Sequence, residues 1–536
     1  MNPLPFMPKA PLLRSNSRYL PLVLAILDGW GVAPRASQAD DATALAKTPF
    51  LRELAKHYPG ALLRASGEAV GLPKGQDGNS EAGHLNLGAG RIVVQDAMYI
   101  SKAIHDGTFF KNQALKVAVA HVRKHRSALH LMGLLTSYNS GHTSPDHFMA
   151  LLKFASQAGI RKVYLHFFTD GRDSPRYDAV KFLGEVRQRL LRGEVVASVT
   201  GRLYAMDRKK DWSRTEATYN LLTLGQGRKE RTAEAALRHA YNRGESDEFV
   251  PPTAMCDSRG RPRAVVRDHD AVVLYNLRSD RARQLAKPFV QRAFERENPG
   301  SFRRRRVVRD LCFVALTDFG PDLGNIFTAF PSRDVVNSLP FALSPLRQLY
   351  VAESEKYAHV TYFFNGGYDR PVAGESRISV PSPDVLSYDA TPEMAAPAIT
   401  RHVLRALASK RFDVVVLNLA NPDMVGHTGN LRAGVQAMEC VDRCLARIAR
   451  AVRAHRGTLL VTSDHGNVEE FINRSTGEVD TEHSTNPVPF LLYHSAWRGR
   501  QFPRRRGVLG DVAPTILQLL GLPKPSEMTR RSLLRA

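Results

Sequence analysis

The sequence predicts an α/β protein on parallel sheets, with a second α/β domain inserted into the first, and three observations carry that prediction. Short β-branched apolar runs alternate with helical periodicity across the chain, the signature of strand–helix–strand units. Runs near both chain ends lead into aspartate, whereas runs in the middle lead into arginine. At 536 residues, the chain also exceeds what one hydrophobic core organises.

In chain order, "LVLAIL" ends at Asp28-Gly29. "KVYLHFFTD" runs into Gly171-Arg172-Asp173, "VVASVT" into Gly201-Arg202, and "AVVLYNL" into Arg278-Ser279-Asp280-Arg281. "FDVVVLNLA" then ends at Asn421-Pro422-Asp423, and "GTLLVTS" at Asp464-His465-Gly466. Open α/β sheets collect ligands at the carboxyl ends of their strands. The outer runs therefore predict one acidic site and the middle runs one cationic site. The expected division is a flexible extension over residues 1–19, a first domain over 20–97 with 329–536, and an inserted domain over 98–328.

Composition narrows the classes. Apolar residues at 43% and charged residues at 24% exclude a disordered or fibrous chain. No apolar run reaches the roughly 20 residues that span a bilayer. Seventy-five Lys and Arg against 52 Asp and Glu leave a net charge of +23, which favours anionic partners. The runs Arg303–Arg306 and Arg504–Arg506 read as solvated basic surface; without interleaved aromatics they make no platform for single-stranded nucleic acid. Cys256, Cys312, Cys440 and Cys444 form no CxxC pair, which argues against a disulfide framework or zinc knuckle and for a reducing compartment.

The stretch "GQDGNSEAGHLNLGAG" resembles a phosphate loop but lacks the GxxxxGK[ST] spacing. Asp423 and His427 lie four apart, Asp464 and His465 are adjacent, and His483 precedes a further apolar strand. With Asp28 these make three aspartates and three histidines, enough for two metal ions of the manganese, cobalt or zinc kind rather than calcium. Two such ions can clamp the entering and leaving oxygens of a phosphoryl transfer, and one can activate a serine hydroxyl without an adjacent base. Ser80 is then a nucleophile at a helix start, where free N–H groups favour phosphate; the competing reading makes Ser80 an N-cap.

The motifs "LDGWG", "GNSEAGHLNLGAGR", "DGRDSP", "GRLYAMDR", "NLRSDRAR", "ESEKYAHVTYFFNGG", "NPDMVGHTG", "SDHGN" and "HSTNPVPF", in this order from Leu22 to Leu533, resemble the cofactor-independent phosphoglycerate mutases. "SDHGN" alone resembles the wider alkaline-phosphatase-like group, whose parallel-sheet fold is thereby implied. The resemblance implies interconversion of 3-phosphoglycerate and 2-phosphoglycerate in glycolysis through a phosphoserine, with two manganese ions and no bisphosphoglycerate. It implies Ser80 as nucleophile, one manganese on Asp28, Ser80, Asp464 and His465, and another on Asp423, His427 and His483. His142, Arg172, Asp173, Arg202, Arg208, Arg278, Arg281 and Lys356 correspond to substrate contacts. A substrate with a carboxylate and a phosphate calls for such bidentate arginine forks. Asp173 is expected to bind a glycerate hydroxyl, to act as a base, or to orient Arg172; Lys356 is expected to stabilise the phosphate in transfer. A cytoplasmic monomer is expected, acting on a small molecule without nucleic acid or membrane, with the two crossings as hinges.

The chain departs from the family pattern in three places. "TSYNSGHTSPDH" replaces a sequence close to "SDGGVHSH", so His147 competes with His142. Asp77 stands where methionine is common, and Arg530 where glycine is usual. A related phosphohydrolase or phosphopentomutase would share the acidic site but lack "GRLYAMDR" and "NLRSDRAR". An inactive scaffold or nucleic-acid binder would be expected to have lost a metal ligand, and none is missing.

Overall fold

A computed structural model describes residues 17–34, 39–138, 140–190, 193–320, 323–331, 335–473 and 477–535. The extension expected over residues 1–19 lies outside the described residues as far as residue 16. Ser17–Tyr19 is a 3-10 turn whose Tyr19 is buried, its ring 4.9 Å from that of His494.

The chain forms two compact units, Met1–Gln95 with Asp334–Ala536 and Asp96–Arg333. Each is organised by one eight-stranded sheet. The first unit opens with β1 (Leu22–Leu27) and β2 (Gly60–Arg64). The second holds β3 (Leu129–Leu135), β4 (Val163–Thr169), β5 (Glu194–Gly201), β6 (Arg228–Glu230), β7 (Thr253–Met255), β8 (Ala271–Leu274), β9 (Cys312–Thr317) and β10 (Phe327–Phe330). The chain then returns to the first unit for β11 (Gln348–Glu353), β12 (Ser376–Val380), β13 (Val414–Leu419), β14 (Thr458–Thr462), β15 (Val488–Tyr493) and β16 (Arg506–Val508). Because β10 pairs in parallel with β9, the second unit keeps Phe327–Phe330, and the return falls a few residues later than position 328.

The first sheet has the order β12-β11-β13-β1-β14-β15-β2-β16 and the second β10-β9-β8-β3-β4-β5-β7-β6. Neighbours are parallel except where β15 runs against β14 and β2, and β7 against β5. The central strands of both sheets are buried on both faces, which is why they read as continuous apolar runs. Val23, Ala25 and Leu27 of β1 join one core, and Leu22, Leu24 and Ile26 join the core on the opposite face. In the second unit Ala271 and Val273 of β8 face one core while Val272 and Leu274 face the other. The alternation follows from the two-residue period of a strand.

Reversal of β15 brings His483 into place. In a parallel strand, the residues before it lie at the edge away from the site. Because β15 is antiparallel, its amino end lies at the edge where β1, β13 and β14 finish.

Candidate active site

The first unit gathers its functional side chains at that edge. Asp28 follows β1 and is buried, and Asp464 and His465 follow β14. Asp423 is on the short helix Asn421–Gly426 after β13, and Lys356 follows β11. Gly29, at φ +76°, keeps the turn tight: a side chain there would lie 2.8 Å from the Cα of Asp423. Ser80 begins the helix Ser80–Ala89, whose cap is Asn79, accepting from the Ala82 N–H at 2.9 Å. The N-cap reading of Ser80 is therefore corrected; the neighbour caps the helix and leaves the serine hydroxyl for other partners.

Those partners are close. Ser80 Oγ lies 3.1 Å from Asp28 Oδ1, 3.0 Å from His465 Nε2 and 2.7 Å from Lys356 Nζ. Lys356 Nζ also donates to Asp28 Oδ1 and Asp423 Oδ2, both at 2.6 Å. His483 Nε2 is 3.2 Å from Asp423 Oδ1 and 3.2 Å from His427 Nε2, which is 3.3 Å from the same carboxylate oxygen. Two groups have donor atoms all within 4.8 Å of one another: Asp28, Asp464 and His465, and Asp423, His465 and His483.

The charges of this edge suit divalent cations. Three buried carboxylates face one ammonium, and Asp464 Oδ2 is buried 3.1 Å from His84 Nδ1 and 3.5 Å from His465 Nε2. Burial alone would raise the Asp28 carboxyl, but Lys356 and His465 hold it well below the usual range. Burial opposes the charge on Lys356, yet Asp28, Asp423 and Asp464 push its pKa up. His465, equally buried, is raised by Asp464 and Asp28 to about 10. Burial and the neighbouring His465 instead lower His483 to about 4. The edge thus attracts positive charge while keeping one imidazole neutral, a mixture that fits metal ligation. Asp77 is partly buried, and that burial with the charges of Glu482, Asp480 and Glu470 raises its carboxyl to about 6.

In the second unit, the arginines also follow strands. Arg202 is almost fully buried after β5, and its Nη1 is 2.5 Å from Asp170 Oδ1 and 3.0 Å from Asp173 Oδ1. Arg208 and Arg278 share the Asp280 carboxylate at 3.0 and 3.2 Å. Burial, with the cations Arg278, Arg202, Arg281 and Arg208 around it, drives His142 well below its ordinary pKa, and its Nδ1 is buried without a hydrogen bond. Burial and the charges of Arg208 and Arg202 lower Arg281 to about 10. Asp173 does not orient Arg172, which pairs with Glu248 at 3.0 Å; it pairs with Arg202 and accepts from Ser140 Oγ at 2.6 Å. His147 points elsewhere, buried in the helix Pro145–Gln157 with its Nε2 2.9 Å from Ser101 Oγ.

Sequence reasoning missed the supports. Asp170 accepts from Arg202, from the Thr136 hydroxyl, and from the N–H groups of Arg172 and Asp173 at 3.1 Å each; its signal was its place between a strand and "GRD". Asn418 Nδ2 donates to Asp28 Oδ2 at 2.6 Å. His84, one turn beyond Ser80, has Nδ1 2.9 Å from Ser80 O and 3.1 Å from Asp464 Oδ2. Asn418 lies inside β13 and His84 inside the helix that Ser80 begins, where nothing in the residue pattern marks either as a partner of a distant aspartate.

Residues 20–524 match the family model described as the metalloenzyme superfamily. The chain is 46% identical to the 2,3-bisphosphoglycerate-independent phosphoglycerate mutase 1 of Methanosarcina acetivorans, over 96% of this chain and 98% of that protein. It is 47% identical to the 2,3-bisphosphoglycerate-independent phosphoglycerate mutase of Thermomicrobium roseum, again over 96% and 98%. Among solved structures it resembles the Leishmania mexicana phosphoglycerate mutase crystallised at low cobalt concentration, with TM-score 0.80, 30% identity, and 96% of this chain and 97% of that chain covered.

Proposed function

The chain belongs to the 2,3-bisphosphoglycerate-independent phosphoglycerate mutases, and on that premise we propose that it exchanges 3-phosphoglycerate and 2-phosphoglycerate through a phosphoserine on Ser80. The observation that carries this reading is the Ser80 hydroxyl, released from capping by Asn79 and held between Asp28, His465 and Lys356. Asp28, Ser80, Asp464 and His465 would hold one manganese ion, and Asp423, His427 and His483 a second. When bound, the ions lower the pKa of the serine hydroxyl and neutralise the charge of the phosphoryl group.

Ser80 Oγ attacks phosphorus; the bond to the glycerate oxygen breaks and the serine proton passes to that oxygen. Lys356 offsets charge on the phosphoryl group from its position 2.7 Å from Ser80 Oγ. Arg202, Arg208, Arg278 and Arg281 keep the glycerate by its carboxylate, and Asp173 takes the proton from the second hydroxyl as that oxygen recovers the phosphoryl group. The reading places the enzyme in the cytoplasm as a glycolytic monomer.

A mutase assay without bisphosphoglycerate tests it, run before and after chelation and manganese repletion. Ser80→Ala is expected to lose at least about 10³-fold in kcat. Activity that survives Ser80→Ala removes the phosphoserine, and activity that survives chelation removes the metals.

A further inference from the structure

The catalytic edge is not the only place where imidazoles and carboxylate converge. Among the described residues, His121, His125 and Asp310 of the second unit form a third group whose donor atoms all lie within 4.8 Å of one another. His121 and His125 are four apart on the last turns of the helix Gln113–His125, so both rings project from one face; their centroids are 4.6 Å apart. Asp310 stands two residues before β9, with its Oδ2 3.5 Å from His125 Nε2. His269, two residues before β8, has Nδ1 2.7 Å from the same oxygen. These are the amino ends of β8 and β9. Arg278 lies beyond the other end of β8, so the cluster and the arginines occupy opposite edges of one sheet.

The cluster is braced. The His269 N–H donates to Arg309 O at 3.1 Å, the Arg309 N–H to Asp268 Oδ1 at 3.0 Å, and Ser127 Oγ to His269 O at 2.6 Å. Both loop residues have left-handed backbones, with φ of 67° at His269 and 48° at Asp310. Strain of this kind persists where surrounding structure fixes it, and it gathers at ligand sites.

We propose that His121, His125 and Asp310 bind one divalent transition-metal ion of the zinc, cobalt or nickel class, with His269 orienting the Asp310 carboxylate. Two imidazoles and one carboxylate suit borderline ions and not calcium or magnesium. Three protein ligands leave a coordination position for water, and the partial exposure of all three side chains admits the ion. The bound ion ties the end of one helix to two strand-leading loops.

The test compares full-length, manganese-loaded wild type with His125→Gln and, separately, His121→Gln, after dialysis against zinc. Zinc per chain is measured by mass spectrometry, and melting is followed with and without zinc. Exchange at the catalytic edge contributes equally to all three proteins and cancels. One additional zinc per chain in wild type, with a zinc-dependent rise in melting larger than in either variant and mutase activity equal throughout, is the expected result. Equal zinc contents in wild type and either folded variant overturn the proposal, and circular dichroism identifies the folded variants. Should both variants fail to fold, Asp310→Asn decides, since Asp310 is exposed and asparagine tolerates its left-handed backbone: a zinc content equal to wild type overturns the site, and the loss of one zinc supports it.

Discussion

Lys356 is the residue on which the acidic site balances, since its ammonium touches Asp28, Ser80 and Asp423 at once. Lys356→Met leaves two buried carboxylates without their cation, and breaking such a pair costs about 3–5 kcal/mol. The metal-free variant should therefore melt well below metal-free wild type, and manganese should recover part of the difference; calorimetry with and without chelator measures both. Asp170 plays the corresponding part for the arginines. A hydrogen bond to a charged group contributes about 1.5–3 kcal/mol, so Asp170→Asn should raise KM by roughly tenfold to a hundredfold through a misplaced Arg202, with a smaller effect on kcat. Equal KM values in wild type and variant would count against that role.

At the scale of elements, the helix Pro145–Gln157 buries His147 at its first turns, and burial lowers that imidazole from its ordinary 6.5 to about 4. As pH falls below 6.5, the unfolded chain takes up a proton that the folded one refuses. Stability is thus lost between about pH 6.5 and 4, by up to about 3 kcal/mol, and is unaffected by this group above pH 7. His147→Gln can still bond Ser101 and should flatten that interval when urea midpoints are compared at pH 7.5 and 4.5. Elements also show what was readable in the chain. Strand-end aspartates, arginines and the Ser80 loop announced themselves because each abuts an apolar run. Asn418 and His84 did not, because their contacts with Asp28 and Asp464 join residues distant in sequence; Asp170 does follow an apolar run, but its role emerges only with its contact to Arg202. The reversal of β15 was equally hidden: an apolar run has no direction until its neighbours are known.

For the whole molecule, two units with separate sheets and cores imply two unfolding transitions. Manganese should raise only the one belonging to the unit of Asp28, by about 5 °C when in large excess over its dissociation constant; a single transition, or equal shifts in both, would contradict independent cores. The charge of +23 should draw an anionic substrate, so KM for phosphoglycerate should rise several-fold from low ionic strength to about 0.5 M salt.

Asn79, and not Ser80, caps the nucleophile's helix. Asn79→Ala should therefore cost about 1 kcal/mol of stability, while loss of the Ser80 hydroxyl spares the fold. A cell carrying Ser80→Ala would accumulate normal amounts of a silent enzyme that still captures phosphoglycerate, a decoy that draws down the metabolite it can no longer convert.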